Sequence, residues 1–140
     1  MSFYPHLNIV LIKLQGLVTL SKDGEDLKWI EAKFKNATGG KEVTRLIIRT
    51  LDNCVDQIKK GRVELYHANS GDMMSRSFDF QNPDNCVLAI NFSASGFNST
   101  ERNVIENTSK IRVVIDGVHA ETKKKRGFKA DLFIKKKVVS

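Results

Sequence analysis

Basic side chains crowd one end of this chain. Residues 110–140 hold Lys110, Arg112, Lys123, Lys124, Lys125, Arg126, Lys129, Lys135, Lys136 and Lys137, opposed only by Asp116, Glu121 and Asp131. Up to residue 109 the 13 basic and 13 acidic residues cancel, so the whole net charge of +7 comes from the C-terminal segment. Positive charge gathered in this way suits an anionic partner: a nucleic acid, a membrane surface or an acidic protein. The expected contact residues are Lys123, Lys124, Lys125, Arg126, Lys129, Lys135, Lys136 and Lys137. The same lysines also suit a solubilising face or a guarded edge strand. Phe128 and Phe133 are the aromatics nearest to them, fewer than a base-stacking platform usually carries. Lys123 to Arg126 also resembles a short nuclear-import run.

Groups suited to catalysis do not converge in the sequence. His6, His67 and His119 stand outside any HExxH, HxH or CxxH spacing. Cys54 and Cys86 match no zinc or redox spacing and read as buried free thiols. There is no GxSxG elbow, and Gly39-Gly40 lacks the strand-to-helix setting of a phosphate loop. Asp23, Glu25 and Asp26 cluster at one turn but fall short of a calcium loop's ligand set. The expectation is a non-catalytic protein with no cofactor and no metal. Trp29 shares a strand side with Glu31 and Lys33, and reads either as partly covered by a neighbouring loop or as the mark of a contact surface. The four Asn-x-Ser/Thr triplets, at Asn36, Asn91, Asn98 and Asn107, read as loop and strand-end chemistry in a chain without a signal peptide.

The elements that must carry these residues are mostly strands. Hydrophobic content of 41% and charged content of 28% fit a globular protein, and 140 residues fit one domain spanning 1–140. Apolar residues alternate with polar ones at Ile30, Ala32 and Phe34; at Val63 and Leu65; at Phe78 and Phe80; and at Cys86, Leu88, Ile90 and Phe92. The pattern returns at Ile111, Val113 and Ile115, and at Phe128, Ala130, Leu132 and Ile134. A period of two is the mark of half-buried strands. Ile9 to Leu14 reads as a strand buried on both faces. Asp23-Gly24, Gly39-Gly40, Ser70-Gly71 and Asn82 to Asn85 supply turns.

The fold class that follows is mainly β: an antiparallel sandwich or barrel with one short helix at about 52–60. Leu51, Val55 and Ile58 would form the apolar stripe of that helix and Gly61 its stop. Residues 97–109 read as a polar loop with a helical turn around Val104. A basic hairpin over 110–140, turning at Lys123 to Gly127, completes the domain. No stretch is long and apolar enough for a transmembrane span, and the expected location is the cytoplasm.

Between Gly39 and Asp116 the features run in a set order: Gly39-Gly40, a strand at Val43–Thr50, the helix at Asp52–Lys60, and Gly61 with a strand ending in Tyr66. Arg76 to Asn82, Cys86-Val87, Phe92, a polar loop and the strand Ile111–Ile115 follow. That order resembles the tube protein of type VI secretion systems, the haemolysin-coregulated protein family, and its short Bacteroidetes-type members most. The resemblance implies a β-barrel with one helix that assembles into hexameric rings, stacked into a secreted tube. The basic segment beyond Asp116 has no counterpart in that pattern. Two functions therefore stand side by side. One is a structural, homo-oligomeric assembly protein of a contractile secretion apparatus. The other is a binding module whose basic C-terminal hairpin engages nucleic acid or an acidic protein.

Overall fold

Side chains alternate inward and outward along the strands, and that alternation builds a two-layered sandwich. The computed structural model describes residues 9–19, 29–34, 40–50, 58–80, 87–118 and 125–135. The strands are β1 (Ile9–Thr19), β2 (Trp29–Lys33), β3 (Glu42–Thr50), β4 (Ile58–His67), β5 (Met73–Asp79), β6 (Val87–Asn91), β7 (Thr108–Val118) and β8 (Lys125–Lys135). A helix, α1 (Ser99–Glu106), lies between β6 and β7. The first sheet has the order β1-β8-β3-β6 and the second β2-β7-β4-β5. All named pairings are antiparallel.

The core lies between the sheets. Val43, Leu46 and Ile48 of β3 face Val63 and Leu65 of β4, Ile111, Val113 and Ile115 of β7, and Phe128, Ala130, Leu132 and Ile134 of β8 in one buried cluster. These four strands are the central pairs of the two sheets. Every alternating set named from the sequence that falls among the described residues points its apolar members inward. Each fully buried aliphatic or phenyl side chain contributes about 1.5–3 kcal/mol.

The chain changes sheet at nearly every connection. Among the named strands, β4 and β5 are the one consecutive pair that hydrogen-bond to each other. This corrects the expected hairpin over 110–140: β7 pairs with β2 and β4, and β8 pairs with β1 and β3. Lys125, Arg126 and Gly127 form no turn, since they already pair with Thr19, Val18 and Leu17 within β8. Likewise β1 and β2, consecutive in the chain on either side of Asp23-Gly24, lie in different sheets. β1 is an edge strand with Leu11 exposed, so it is not buried on both faces.

The helix also sits elsewhere. Ile58, Lys59 and Lys60, expected as its last turn, open β4, and residues 51–57 of the expected helix lie outside the described residues. The helix described is α1, in the stretch read as a polar loop with a helical turn around Val104; the turn is present and extends over eight residues. Asn98 caps it: its side chain accepts from the Glu101 backbone at 2.8 Å, and the Glu101 carboxylate accepts from the Asn98 backbone at 3.1 Å. That reciprocal pair is a capping box, worth about 1 kcal/mol to a helix this short. Val104 and Ile105 anchor its apolar side in the core.

At the far end of α1, the buried Thr108 hydroxyl donates to the Val104 carbonyl at 2.8 Å. Thr108 also exchanges two backbone hydrogen bonds with Lys41, at 2.8 and 2.9 Å. Lys41 leads into β3 and Thr108 starts β7, so this bridge joins the two sheets. Gly40 permits it. Its φ of 73° is a left-handed conformation, and a Cβ there would stand 2.4 Å from the Asn107 carbonyl.

Candidate functional site

The sandwich offers two outer faces and four edges, and their chemistry differs. On the second sheet the register aligns three rows across the strands. They are Trp29, Val114, Arg62 and Ser77; Glu31, Arg112, Glu64 and Ser75; and Lys33, Lys110, Tyr66 and Met73. Arg62 donates to Asp116 at 2.6 Å and to Glu64 at 3.2 Å. The Tyr66 hydroxyl donates to the other Glu64 oxygen at 2.8 Å. Arg112 stands 3.7 Å from Glu31, with its guanidinium 4.9 Å from the Trp29 ring centre. Lys110 lies 4.2 Å above Tyr66.

Glu64 is only 8% exposed, at the centre of this network. Burial pushes its carboxyl up, but hydrogen bonds from Tyr66 and Arg62 and the charges of Arg62 and Arg112 outweigh it. The net result is a carboxyl held below the ordinary range. Burial and the bond to Glu64 push the Tyr66 phenol up. On this face Arg62 meets Glu64 and Asp116, Arg112 meets Glu31 and Trp29, and Lys110 meets Tyr66, while the buried Arg112 Nε has no hydrogen-bond partner.

The outer face of the first sheet is different. Its rows are Leu11, Phe133, Arg45 and Asn91; Lys13, Asp131, Ile47 and Ala89; and Lys129, Arg49 and Val87, with Lys135 beside Glu42 at one end. Among the described side chains, five cations (Lys13, Arg45, Arg49, Lys129 and Lys135) share it with two acids, Glu42 and Asp131. Asp131 reaches Arg49 at 3.7 Å with one oxygen, and its other oxygen is buried with no hydrogen-bond partner. The Arg45 guanidinium lies 5.1 Å from the Phe133 ring centre. These two residues, with Thr44, Asn91 and Ser93, line a cavity of about 410 Å³.

Of the eight expected anion-binding residues, the four that are described all lie on β8. Lys129 and Lys135 lie on the outward side of β8 in the first sheet. Lys125 and Arg126 are in β8. Lys123, Lys124, Lys136 and Lys137 lie outside the described residues. Lys110 and Arg112, which belong to the same basic segment, sit on the opposite face beside Tyr66 and Glu31. Beside Lys129 and Lys135, β3 contributes Arg45 and Arg49, and β1 contributes Lys13. The available signal was the alternation Arg45, Ile47, Arg49 on β3, whose outward cations register against the outward positions of β8.

His67 serves its turn: Nδ1 accepts from the backbone of Asn69 at 3.0 Å and Ser70 at 3.1 Å. Asn91, Asn98 and Asn107 all make local backbone contacts, as their loop and strand-end reading implies. His6, His119, Cys54, Cys86, the acidic turn at Asp23 and the triplet at Asn36 lie outside the described residues. Among the described residues no helix is long and apolar enough to cross a membrane.

The edges carry the exposed apolar side chains. Leu11, Trp29, Met73 and Val87 are the large hydrophobic residues that stand exposed among the described residues, at 47%, 53%, 43% and 41%. One lies on each edge strand: β1, β2, β5 and β6. β6, Val-Leu-Ala-Ile-Asn, has neither a charge nor a proline. Beside it, a groove of about 510 Å³ separates β6 from β5, with Arg76 stacked 4.3 Å over Phe97.

No protein-family model and no curated protein matches this sequence. Among solved structures, the chain is similar to one described as the 60-mer BFDV capsid protein. The alignment covers 94% of this chain and 93% of that one, with a TM-score of 0.40 and 5% identity. A likeness that loose bears on neither mechanism nor partner.

Proposed function

We propose that this protein is a non-catalytic assembly module that joins copies of itself through its sheet edges. The observation that carries the reading is β6, an edge strand without a charge or a proline. Natural sheets normally blunt an edge with lysine, proline or a bulge, because an open row of backbone groups templates pairing with another chain. At the other edge of the same sheet stands β1, with Leu11 exposed. β6 of one copy set against β1 of the next extends the first sheet from subunit to subunit. Such a contact is head-to-tail, and it closes into a ring or runs on as a filament.

A hexameric ring of the type VI secretion tube kind is the most specific form of the proposal. It draws on the ordered features from Gly39 to Asp116, less the helix at Lys59 and Lys60, which are strand. The test is the mass of the native protein across a concentration series. The wild type is expected to run as a defined oligomer at micromolar concentration. Ala89→Lys combined with Leu11→Lys, which places a charge on each edge of the first sheet, is expected to run as a folded monomer. A wild type that stays monomeric at high micromolar concentration overturns the proposal.

A further inference from the structure

The first sheet's outer face combines features that the assembly reading does not use. Along a strand, every second residue advances about 6.6–6.8 Å. Lys135 and Lys129, six residues apart on β8, thus span about 20 Å, and Arg45 and Arg49 on β3 span about 13 Å. The cations form a field several nucleotides long. Beside it the cavity of about 410 Å³ is lined by Phe133 and Arg45, whose guanidinium lies 5.1 Å from the Phe133 ring centre, and by Asn91 and Ser93. An aromatic ring and a guanidinium plane both stack on nucleobases, and an amide and a hydroxyl both hydrogen-bond to base edges.

We propose that this face binds single-stranded nucleic acid, seating one base against Phe133 and Arg45 while Lys13, Arg49, Lys129 and Lys135 follow the phosphates. A duplex suits the face less well. Its bases are stacked inside, and reading them takes a helix or ribbon that enters a groove, which this side of a sheet does not supply. Asp131 limits the affinity, since it competes for Arg49 at 3.7 Å.

The experiment is fluorescence anisotropy of a labelled oligothymidylate, with the matching duplex and phosphatidylserine vesicles as competitors, over a range of salt. Five cations less two acids leave three phosphates' worth of charge. The expected log–log salt slope is therefore about −2, at about −0.7 per phosphate of a single strand. Arg45→Gln, Arg49→Gln and Lys129→Gln together should bring the slope near zero. Phe133→Leu should weaken binding roughly tenfold and leave the slope alone, because stacking is not an ionic term. Asp131→Asn should tighten it. All of these side chains face outward, and a circular dichroism spectrum matching the wild type confirms the fold of each variant.

Three results overturn the proposal. One is an unchanged slope in the triple variant. Another is equal affinity for duplex and single strand with no effect of Phe133→Leu. The third is displacement by the vesicles without measurable affinity for the oligonucleotide, which assigns the face to an anionic membrane. Native mass is measured beside anisotropy for each variant: a slope lost at unchanged mass speaks to this face and a mass lost at unchanged slope to the sheet edges, so this proposal and the assembly reading fail separately.

Discussion

The two outer faces are written by the same alternation of side chains, yet they hold charge in opposite ways. On the second sheet, Glu64 sits between Arg62 and Tyr66, Asp116 meets Arg62, and Glu31 meets Arg112. On the first sheet, five cations face two acids, and Asp131 engages Arg49 through only one oxygen. A network in which acids and cations meet stabilises its own fold and offers little to a partner, even with the Arg112 Nε left unpartnered. A surplus of one sign contributes little to the fold and remains available. Charge content alone would not separate the faces, because each is rich in arginine and lysine. Cross-strand register separates them, by deciding which cation lands opposite which acid.

The sharpest way to break this comparison is Glu64→Ala. It strands the Tyr66 hydroxyl and removes one of two acids from Arg62, and it is expected to cost about 2–3 kcal/mol in chemical denaturation. If it costs no more than a surface substitution, the second face is not a structural network.

Arg112→Gln comes next, at about 1 kcal/mol, because it removes a partly exposed ion pair and a cation–π contact. Its effect can be followed in the emission of Trp29, the chain's one tryptophan, which should shift as the guanidinium leaves its ring.

Acid sharpens the contrast further. The Glu64 carboxyl is held low in the folded protein, so its contribution is present above the ordinary carboxylate range, about 4.3, and lost as the pH falls through its folded value. Denaturation midpoints of the wild type should fall along that path, and Glu64→Gln should make them less dependent on pH. The smallest effect is expected on the first sheet. Arg49→Gln and Lys129→Gln should each change stability by no more than about 0.5 kcal/mol, whatever they do to binding.

Much of the layer structure was legible from period-two patterning, because inward-facing side chains such as Val63, Leu65, Ile111 and Val113 must be apolar for the sheets to pack. Sheet membership was not legible. Spacing and turn residues suggest a hairpin wherever two strands are close in sequence, but pairing is chosen by contacts far along the chain, and β7 and β8 went to different layers. The helix shows the same limit at short range. The stripe at Leu51, Val55 and Ile58 looked helical, yet Ile58 opens a strand whose pairing with β7 outweighs local propensity. The helical turn around Val104 was legible, and the signal for its full length lay in Asn98 and Glu101, three residues apart and ahead of Val104 and Ile105.

The candidate site was half legible for a related reason. Linear charge found Lys129 and Lys135, but Arg45, Arg49 and Lys13 join them only across strands. The edges were the least legible part, since no sequence pattern names the strand left at the border.

The bridge between Lys41 and Thr108 fastens the layers at one end, much as a spine holds the covers of a book. Any parting of the covers must therefore begin away from it, toward the gap where Arg76 leans on Phe97. Amide protons of Lys41 and Thr108 should then be among the last to trade with heavy water, and the whole sandwich should come undone in a single step.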